Sequence, residues 1–562
     1  MCGIFAAIAP KGAPPCWFAP HATKLLEHRG PDASGTLHVD LHWATISLGM
    51  TRLKVVDQSD LIVPFDFREH LGVVLAFNGE VYNWRELRAG LHGPWETECD
   101  AEVVAALWRE YGPACLDRMN GMWGLVLVDT WTDTIFVARD RAGEKPLYWA
   151  QPQAAEVIYV ASEPKAFPID LNVCHCADMD VLEFDCGKST PICNVHAMPP
   201  GSCAILGNPG PLEGDFGLEV GAWWQLPHED ENMRWSYEQA EALVIDAIRI
   251  RHVSERPVAV QLSGGLDSAI IQAVVDSDRL YCVTFPDLDN MPAARLAAGK
   301  HDVVPVTFSL DDLLAALPQV AYHLDTPGTW SAVCQWFMNR KIAEDGGVVV
   351  MSGEGADELW GGYARYRILR YLDRMLEDEH LQDYRPLMAR TLGEQVDRLT
   401  VTRMLNRGGP EALPHAHRLV AAHGGNGSLV SRMARTDFYT TMQVLLRMAD
   451  RMTAAFGLEG RAPFLDYRLM ELAARMPARQ KVAGQSKLAL RTIAERLGVP
   501  EDIVNERSKR GLTVPPSWGQ QLDNGAQWDR RWFAQRMHRA WLETCLRPAL
   551  CGGCERSERS GA

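Results

Sequence analysis

The stretch VAVQLSGGLDSAII, residues 258–271, leaves the chain the fewest structural choices. A short apolar run passes through two adjacent glycines into a second apolar run of helical period. It reads as buried strand, tight loop and helix. The surrounding segments repeat the alternation. SYEQAEALVIDAIRIRHV precedes it as a helix, and the strands YCVTF and GVVVM follow, separated by LDDLLAALPQVAYHL and VCQWFMNRKIAEDG. Strands alternating with helices predict crossover connections and a mostly parallel sheet.

The loop also has a chemistry. Ser263-Gly264-Gly265 runs straight into a helix N-terminus, whose free N–H groups and dipole suit a phosphate or pyrophosphate. It lacks the G-K-[ST] of a Walker A loop. Ser263 and Ser268 add hydroxyl donors. Asp267 would repel phosphate without an intervening cation, so it reads as a Mg²⁺ ligand. A second strand and glycine-rich loop, GVVVMSGEGADELWGGY at 347–363, brings Glu354, Asp357 and Glu358 to the same end of the sheet.

The first 205 residues differ. Apolar runs (GIFAAIA, WATISLGM, GVVLAFNG, GLVLVDT, TIFVARD, EVIYVAS) are punctuated by turn residues and predict a β-rich unit. DAEVVAALWREYG reads as a helix with Asp100 as N-cap and Gly112 beyond its end. The Gly/Pro/Glu-rich passage GNPGPLEGDFGLEVG marks a linker. The expected layout is a unit over 1–205, a linker over 206–235, a second unit over 236–535 and a flexible tail over 536–562.

Composition narrows the function classes. A net charge of −16 on 562 residues argues against nucleic acid and anionic lipid as partners. No apolar stretch is long enough to span a bilayer, and Pro10 and Lys11 cut short any signal-peptide core. The 14 cysteines then read as reduced thiols of a cytoplasmic protein. The group Cys174, Cys176, Cys186, Cys193 and Cys203, and the group Cys545, Cys551 and Cys554, have no matching ligand pairs, so no metal site is assigned to them.

With these residues in view, the chain resembles a known family along nearly its whole length. SGGLDS is the signature of PP-loop ATP pyrophosphatases. CGIF at the start, HRGPD at 28–32, FNGEVYN at 77–83 and ARDRAGEKPLY at 138–148 resemble class II glutamine amidotransferases. In this order, with SGEGADE and LEGRAPFLD, they resemble the glutamine-hydrolysing asparagine synthetases. The resemblance implies an N-terminal Ntn-hydrolase αββα sandwich and a C-terminal Rossmann-like PP-loop parallel sheet with helical additions.

It also implies roles. Loss of Met1 would give Cys2 a free amine, with a pKa near 8, beside its nucleophilic thiol. Arg52, Val55, Val56, Asn78, Gly79, Glu80 and Asp100 would bind glutamine, with Asn78 and Gly79 as the oxyanion hole. ATP would lie on Leu262, Ser263, Gly264, Gly265, Asp267, Ser268, Ser352 and Gly353, with Mg²⁺ on Asp267 and Asp357. Glu354 and Lys487 would be catalytic at the second site. Arg447 and Arg461 match the family's arginine-rich helix and the turn before PFLD. The small-molecule partners implied are glutamine, ATP and aspartate; a homodimer is left open.

PDLDNMPAARLAAGKHDVVPVTF departs from the family in lacking its acidic pair and His-x-Glu. The loop carrying Asp325, Thr326 and Thr329 defines no acceptor pocket. An amidotransferase acting on another carboxylate, such as a natural product or peptide, is therefore the alternative, and a non-catalytic binding or regulatory protein the distant one.

Overall fold

The computed structural model describes residues 1–93, 95–152, 156–169, 190, 192–207, 217–326, 328–377, 419–506, 512–515 and 517–518. Cys174, Cys176, Cys186, the cysteines at 545, 551 and 554 and the expected tail lie outside the described residues. Among the described residues no helix is long and apolar enough to cross a membrane. The described cysteines, Cys193 and Cys203 among them, are free thiols.

The first unit contains β1 Gly3–Pro10, β2 Ala33–Asp40, β3 Ala44–Arg52, β4 Phe65–Phe67, β5 Val73–Val81, β6 Gly121–Asp129, β7 Thr134–Arg139, β8 Tyr148–Ala150, β9 Ile158–Ala161, β10 Val195–Ala197, β11 Ser202–Leu206 and β12 Gly221–Ala222. They form two antiparallel sheets in the orders β10-β8-β9-β1-β3-β2 and β12-β11-β7-β6-β5-β4. Helix α1 (Ala19–Leu25) covers the first sheet and α2 (Asp100–Tyr111) the second, giving a four-layer αββα sandwich. The strand β12 lies within the segment expected to be linker.

Both faces of β1 are covered, which explains why GIFAAIA is apolar throughout instead of alternating. Ile4, Ala6 and Ile8 pack between the sheets, while Phe5 and Ala7 pack with Ala19, Ala22 and Leu26 around α1. The same lower core continues into the second unit through Met448, Met452 and Val350, so the two units share buried apolar surface.

The second unit is built on five parallel strands: β13 Val258–Gln261, β14 Leu280–Val283, β15 Val303–Val306, β16 Val349–Met351 and β17 Glu459–Arg461. Their order is β15-β14-β13-β16-β17, so the sheet grows outward in both directions from β13. Order reverses at that strand, the place where open parallel sheets hold ligands. The expected strand–loop–helix is present, with α3 (Leu266–Val275) directly after the glycines. Two strands lack a sequence signal. β15 contains Pro305 and is an edge strand, where a missing N–H is tolerated. β17 carries the buried charges Glu459 and Arg461, which disguise it as a polar turn.

The motif ARDRAGEKPLY owes its form to one carboxylate. Asp140 is fully buried and accepts from the N–H groups of Gly143 (2.7 Å), Glu144 (3.0 Å), Lys145 (3.0 Å) and Trp123 (3.2 Å). Without it four buried donors lose their acceptor, each a loss of about 1 kcal/mol or more. Asp140→Ala should therefore lower the Tm of the first unit by roughly 5–10 °C in calorimetry. A shift below about 2 °C would show that other acceptors can organise the turn.

Candidate active sites

Pairing of β1 with β3 sets Gly3 opposite Thr51, which brings Cys2 beside Arg52 at one end of the sandwich. Cys2 is buried. Its thiol accepts a hydrogen bond from the Leu53 backbone N–H, and burial pushes its pKa upward despite Arg52 nearby. The Cys2 N–H donates to Asn78 Oδ1 at 2.8 Å. That bond fixes the amide, leaving Asn78 Nδ2, fully buried, with no hydrogen-bond acceptor. A buried donor in that condition is costly and points to a charge it awaits. Gly79 adjoins it, and a Cβ there would lie 2.0 Å from the Met122 carbonyl oxygen, so only glycine fits.

The Arg52 guanidinium is braced by the carbonyls of Ser59 (2.8 Å) and Asp57 (3.0 Å). Val55 and Val56 follow on the same loop, and the Val55 carbonyl accepts from Glu255 N–H of the second unit at 3.1 Å. Asp100 is not an N-cap. It is the first helical residue of α2, after Cys99, and its carboxylate accepts from Val81 N–H at 2.9 Å. A tertiary acceptor role thus displaced the local capping role that the position suggests. Burial pushes Asp100 up to about 6, and burial together with Asp100 and Glu459 pushes the neighbouring Glu80 well up.

Residues of the second unit reach this site. Arg461 Nη2 lies 3.5 Å from Glu80, and Glu459 lies 3.9 Å from the amine of Met1, which burial lowers to about 6. Met1 is 1% exposed, sealed between the units.

The other site forms where β13 and β16 end side by side. Gly264 has φ +72°, and a Cβ would meet Ala293 at 2.6 Å. The helix carrying Ala293, Met291–Ala298, is formed by the stretch that departs from the family pattern. Leu262 is buried, its N–H donating to the Tyr281 carbonyl at 2.8 Å. Ser263 Oγ accepts from Gly265 N–H at 3.2 Å, and Ser268 Oγ donates to the Gly265 carbonyl at 3.1 Å. The loop after β16 touches this one: a Cβ on Gly353, next to Ser352, would fall 2.7 Å from that of Asp267.

Lys487 joins the two loops. Its Nζ lies 2.5 Å from Asp267 Oδ2 and 2.7 Å from Asp357 Oδ1, and these carboxylates raise its pKa against the pull of burial. Gly362 must lack a side chain here, since a Cβ would meet Asp357 Oδ1 at 1.8 Å. Two hard carboxylate oxygens beside a phosphate-type loop suit Mg²⁺, which takes one or two carboxylates and completes its shell with phosphate and water. No cluster of three metal-ligating side chains occurs among the described residues.

Between the sites lies a cavity of about 30 Å³. Glu144 and Lys145 line it from the first unit, and Ser352, Glu354, Asp450 and Arg461 from the second. A space of this size admits a molecule as small as water or ammonia. Burial pushes Glu144 up to about 8.

Asp325 and Thr326 do not open onto it. Both are buried at the seam, where Asp325 lies 3.3 Å from Lys165 and 3.6 Å from Arg451. The hydroxyl of Thr329 reaches the Met448 sulfur at 3.8 Å. Sequence reasoning assigned no part to Arg29, Glu163, Lys145, Glu459 or Asp450. Arg29, Lys145 and Glu459 fall within motifs, and Glu163 directly follows a strand run, but their part at the seam needs the tertiary fold.

The chain matches two family models: asparagine synthase over residues 239–558 and glutamine amidotransferase domain over residues 1–211. A Mycobacterium tuberculosis relative, itself named only provisionally as a glutamine-hydrolysing asparagine synthetase, is 31% identical over 92% of this chain and 88% of its own. Asparagine synthetase [glutamine-hydrolyzing] 1 of Bacillus subtilis is 28% identical over 88% and 83%. Asparagine synthetase B of Escherichia coli is 26% identical over 84% and 74%. The chain belongs to the asparagine synthase family.

Proposed function

We propose that this family member makes asparagine from aspartate, glutamine and ATP, releasing glutamate, AMP and pyrophosphate. One observation carries the reading. A cavity lined by both units touches Ser352 and Glu354 of the second glycine-rich loop and Arg461, whose guanidinium reaches Glu80 beside the buried Cys2. Adenylation is needed because a carboxylate is too poor an electrophile for an amine, and ammonia is useful only if it arrives unprotonated.

At the first site the Cys2 thiol attacks the side-chain amide carbon of glutamine. The amine freed by removal of Met1 takes the thiol proton and passes it to the departing ammonia. The tetrahedral oxyanion accepts from Asn78 Nδ2 and Gly79 N–H, and the unpartnered Nδ2 supports that role. Arg52 holds the glutamine carboxylate beside Val55 and Val56, and Glu80 and Asp100 its ammonium. Water then hydrolyses the thioester to glutamate.

At the second site ATP lies on Leu262, Ser263, Gly264, Gly265, Asp267, Ser268, Ser352 and Gly353. The aspartate β-carboxylate attacks the α-phosphorus and pyrophosphate leaves, its charge met by Lys487. Asp267 and Asp357 would hold Mg²⁺, which when bound neutralises charge on the phosphates. Ammonia attacks the acyl carbon, Glu354 takes its proton and AMP departs. The free Cys2 thiol suits the reducing cytoplasm.

Pyrophosphate release with glutamine, MgATP and a panel of carboxylic acids tests the acceptor. Release that depends on aspartate is expected, and release with another acid alone would replace it. Cys2→Ala should abolish glutamine-dependent synthesis while ammonium-dependent synthesis stays within about twofold of wild type. Equal loss of both would overturn the division into two sites.

The raised carboxyl pair predicts a pH dependence. Asp100, pushed up to about 6, takes up a proton below that pH, and the glutamine ammonium then loses its counter-charge. The kcat/KM for glutamine should fall by about tenfold per unit as pH drops below 6. A flat profile from pH 7 to pH 5 would refute the binding role.

Burial of Met1 predicts an order of events, because an aminopeptidase cannot reach a residue 1% exposed. Active protein should lack Met1 by intact mass. Protein made with the aminopeptidase inhibited should keep it, and added aminopeptidase should remove it only after unfolding. Ready removal from the folded chain would show that processing can follow docking of the units.

A further inference from the structure

Arg29 is 0% exposed and uses its whole guanidinium. Nε donates to the Cys2 carbonyl at 3.0 Å and Nη1 to Glu163 at 2.7 Å. Nη2 donates to both oxygens of Asp450, at 2.9 and 3.1 Å. Asp450 belongs to the second unit, on helix α4 (Thr441–Ala454), and is itself 4% exposed. An unbroken chain of contacts thus runs from the second unit through one guanidinium to the backbone of the first unit's cysteine.

We infer that Asp450 is a positioning residue for hydrolysis of glutamine: through Arg29 it fixes the carbonyl, and so the thiol, of Cys2. The inference rests on Cys2 being the nucleophile. The charge of Asp450 matters because its competitor is already crowded. Glu163 also faces Arg451, His28 (3.2 Å) and Lys165 (2.5 Å). Glu163 divides its charge among these groups, so with Asp450 neutral Arg29 loses its strongest anchor from the second unit and is no longer held against the Cys2 carbonyl. Lys145 also lies near Asp450, 3.8 Å away, and its Nζ donates to the Gly460 carbonyl at 3.2 Å, while Arg139 adds a more distant positive charge. Lys145 steadies the carboxylate from the side of the cavity. Glutamine itself is held by other groups, so the loss should appear in the chemical step and not in affinity.

The test uses the full chain with Asp450→Asn, which keeps the shape and removes the charge. The kcat for glutamine hydrolysis should fall roughly 10–100-fold, with KM within about twofold and ammonium-dependent synthesis within about twofold. Asp450→Glu should recover part of the loss. Asp450→Asn should add little to Arg29→Lys, because both act on one contact. Unchanged hydrolysis with a lower yield of product per glutamine consumed would overturn the inference and make Asp450 a lining residue of the cavity alone. Equal loss of both activities with a lowered Tm would overturn it in favour of a structural role. If Cys2→Ala hydrolyses glutamine normally, the nucleophile assignment itself fails, whatever Asp450→Asn does.

Discussion

The arrangement depends on charge buried at a seam. Arg29, Glu163, Arg451, Asp450 and Lys145 are all nearly or fully withdrawn from solvent, and they come from both units. Removing such groups from water is expensive, and their mutual attraction roughly offsets that expense instead of adding net stability. What the network supplies is specificity. A guanidinium that must satisfy a backbone carbonyl and two carboxylates at once tolerates one relative placement of the units. Apolar surface shared around Phe5, Met448 and Met452 drives the docking, and the ionic contacts set its register.

The second constraint is strand order. β13 and β16 are neighbours although helices and strands intervene in sequence, so two glycine-rich loops some 90 residues apart end in contact. β17 then lies next to β16, and its Glu459 and Arg461 reach the first unit's site, while Ser352 and Glu354 from the loop after β16 line the cavity that Arg461 also borders. One edge of a five-stranded sheet therefore belongs to both chemistries. That explains why a strand of only three residues can carry two buried charges. It is held by main-chain pairing with β16, and its side chains are spent on the seam.

Much of this was legible in the sequence wherever function is written in contiguous residues. The strand–glycine–helix at Ser263–Ser268, the paired loop at Ser352–Asp357 and the run of strands in the first unit follow from periodicity and turn chemistry, and the fold has them in those places. Asp100 was legible as an acid opening a helix, but its acceptor role toward Val81 needed the tertiary fold. The seam was not legible. Arg29 and Asp450 stand 421 positions apart, and no local pattern announces such a pair. Arg29 of HRGPD, Lys145 of ARDRAGEKP and Glu459 of LEGRAPF sit in recognisable motifs, but the part each plays at the seam depends on the opposite unit.

The cavity also bears on how a small base can cross between two chemistries. Ammonia in water at neutral pH is mostly protonated, and a cation neither attacks an acyl carbon nor leaves water cheaply. Entry into a space of about 30 Å³ strips that hydration and favours the neutral form. The lining acts in the same direction. Lys145 and Arg461 present fixed positive charge, and Arg461 is held firmly cationic by Glu459 and Glu80. Glu144, pushed up to about 8, is mostly uncharged at neutral pH and offers no counter-ion. The Asp450 carboxylate is already engaged by Arg29. An ammonium ion would therefore meet desolvation and like charge from Lys145 and Arg461, while Glu354, also in the lining, is the carboxylate that can take its proton.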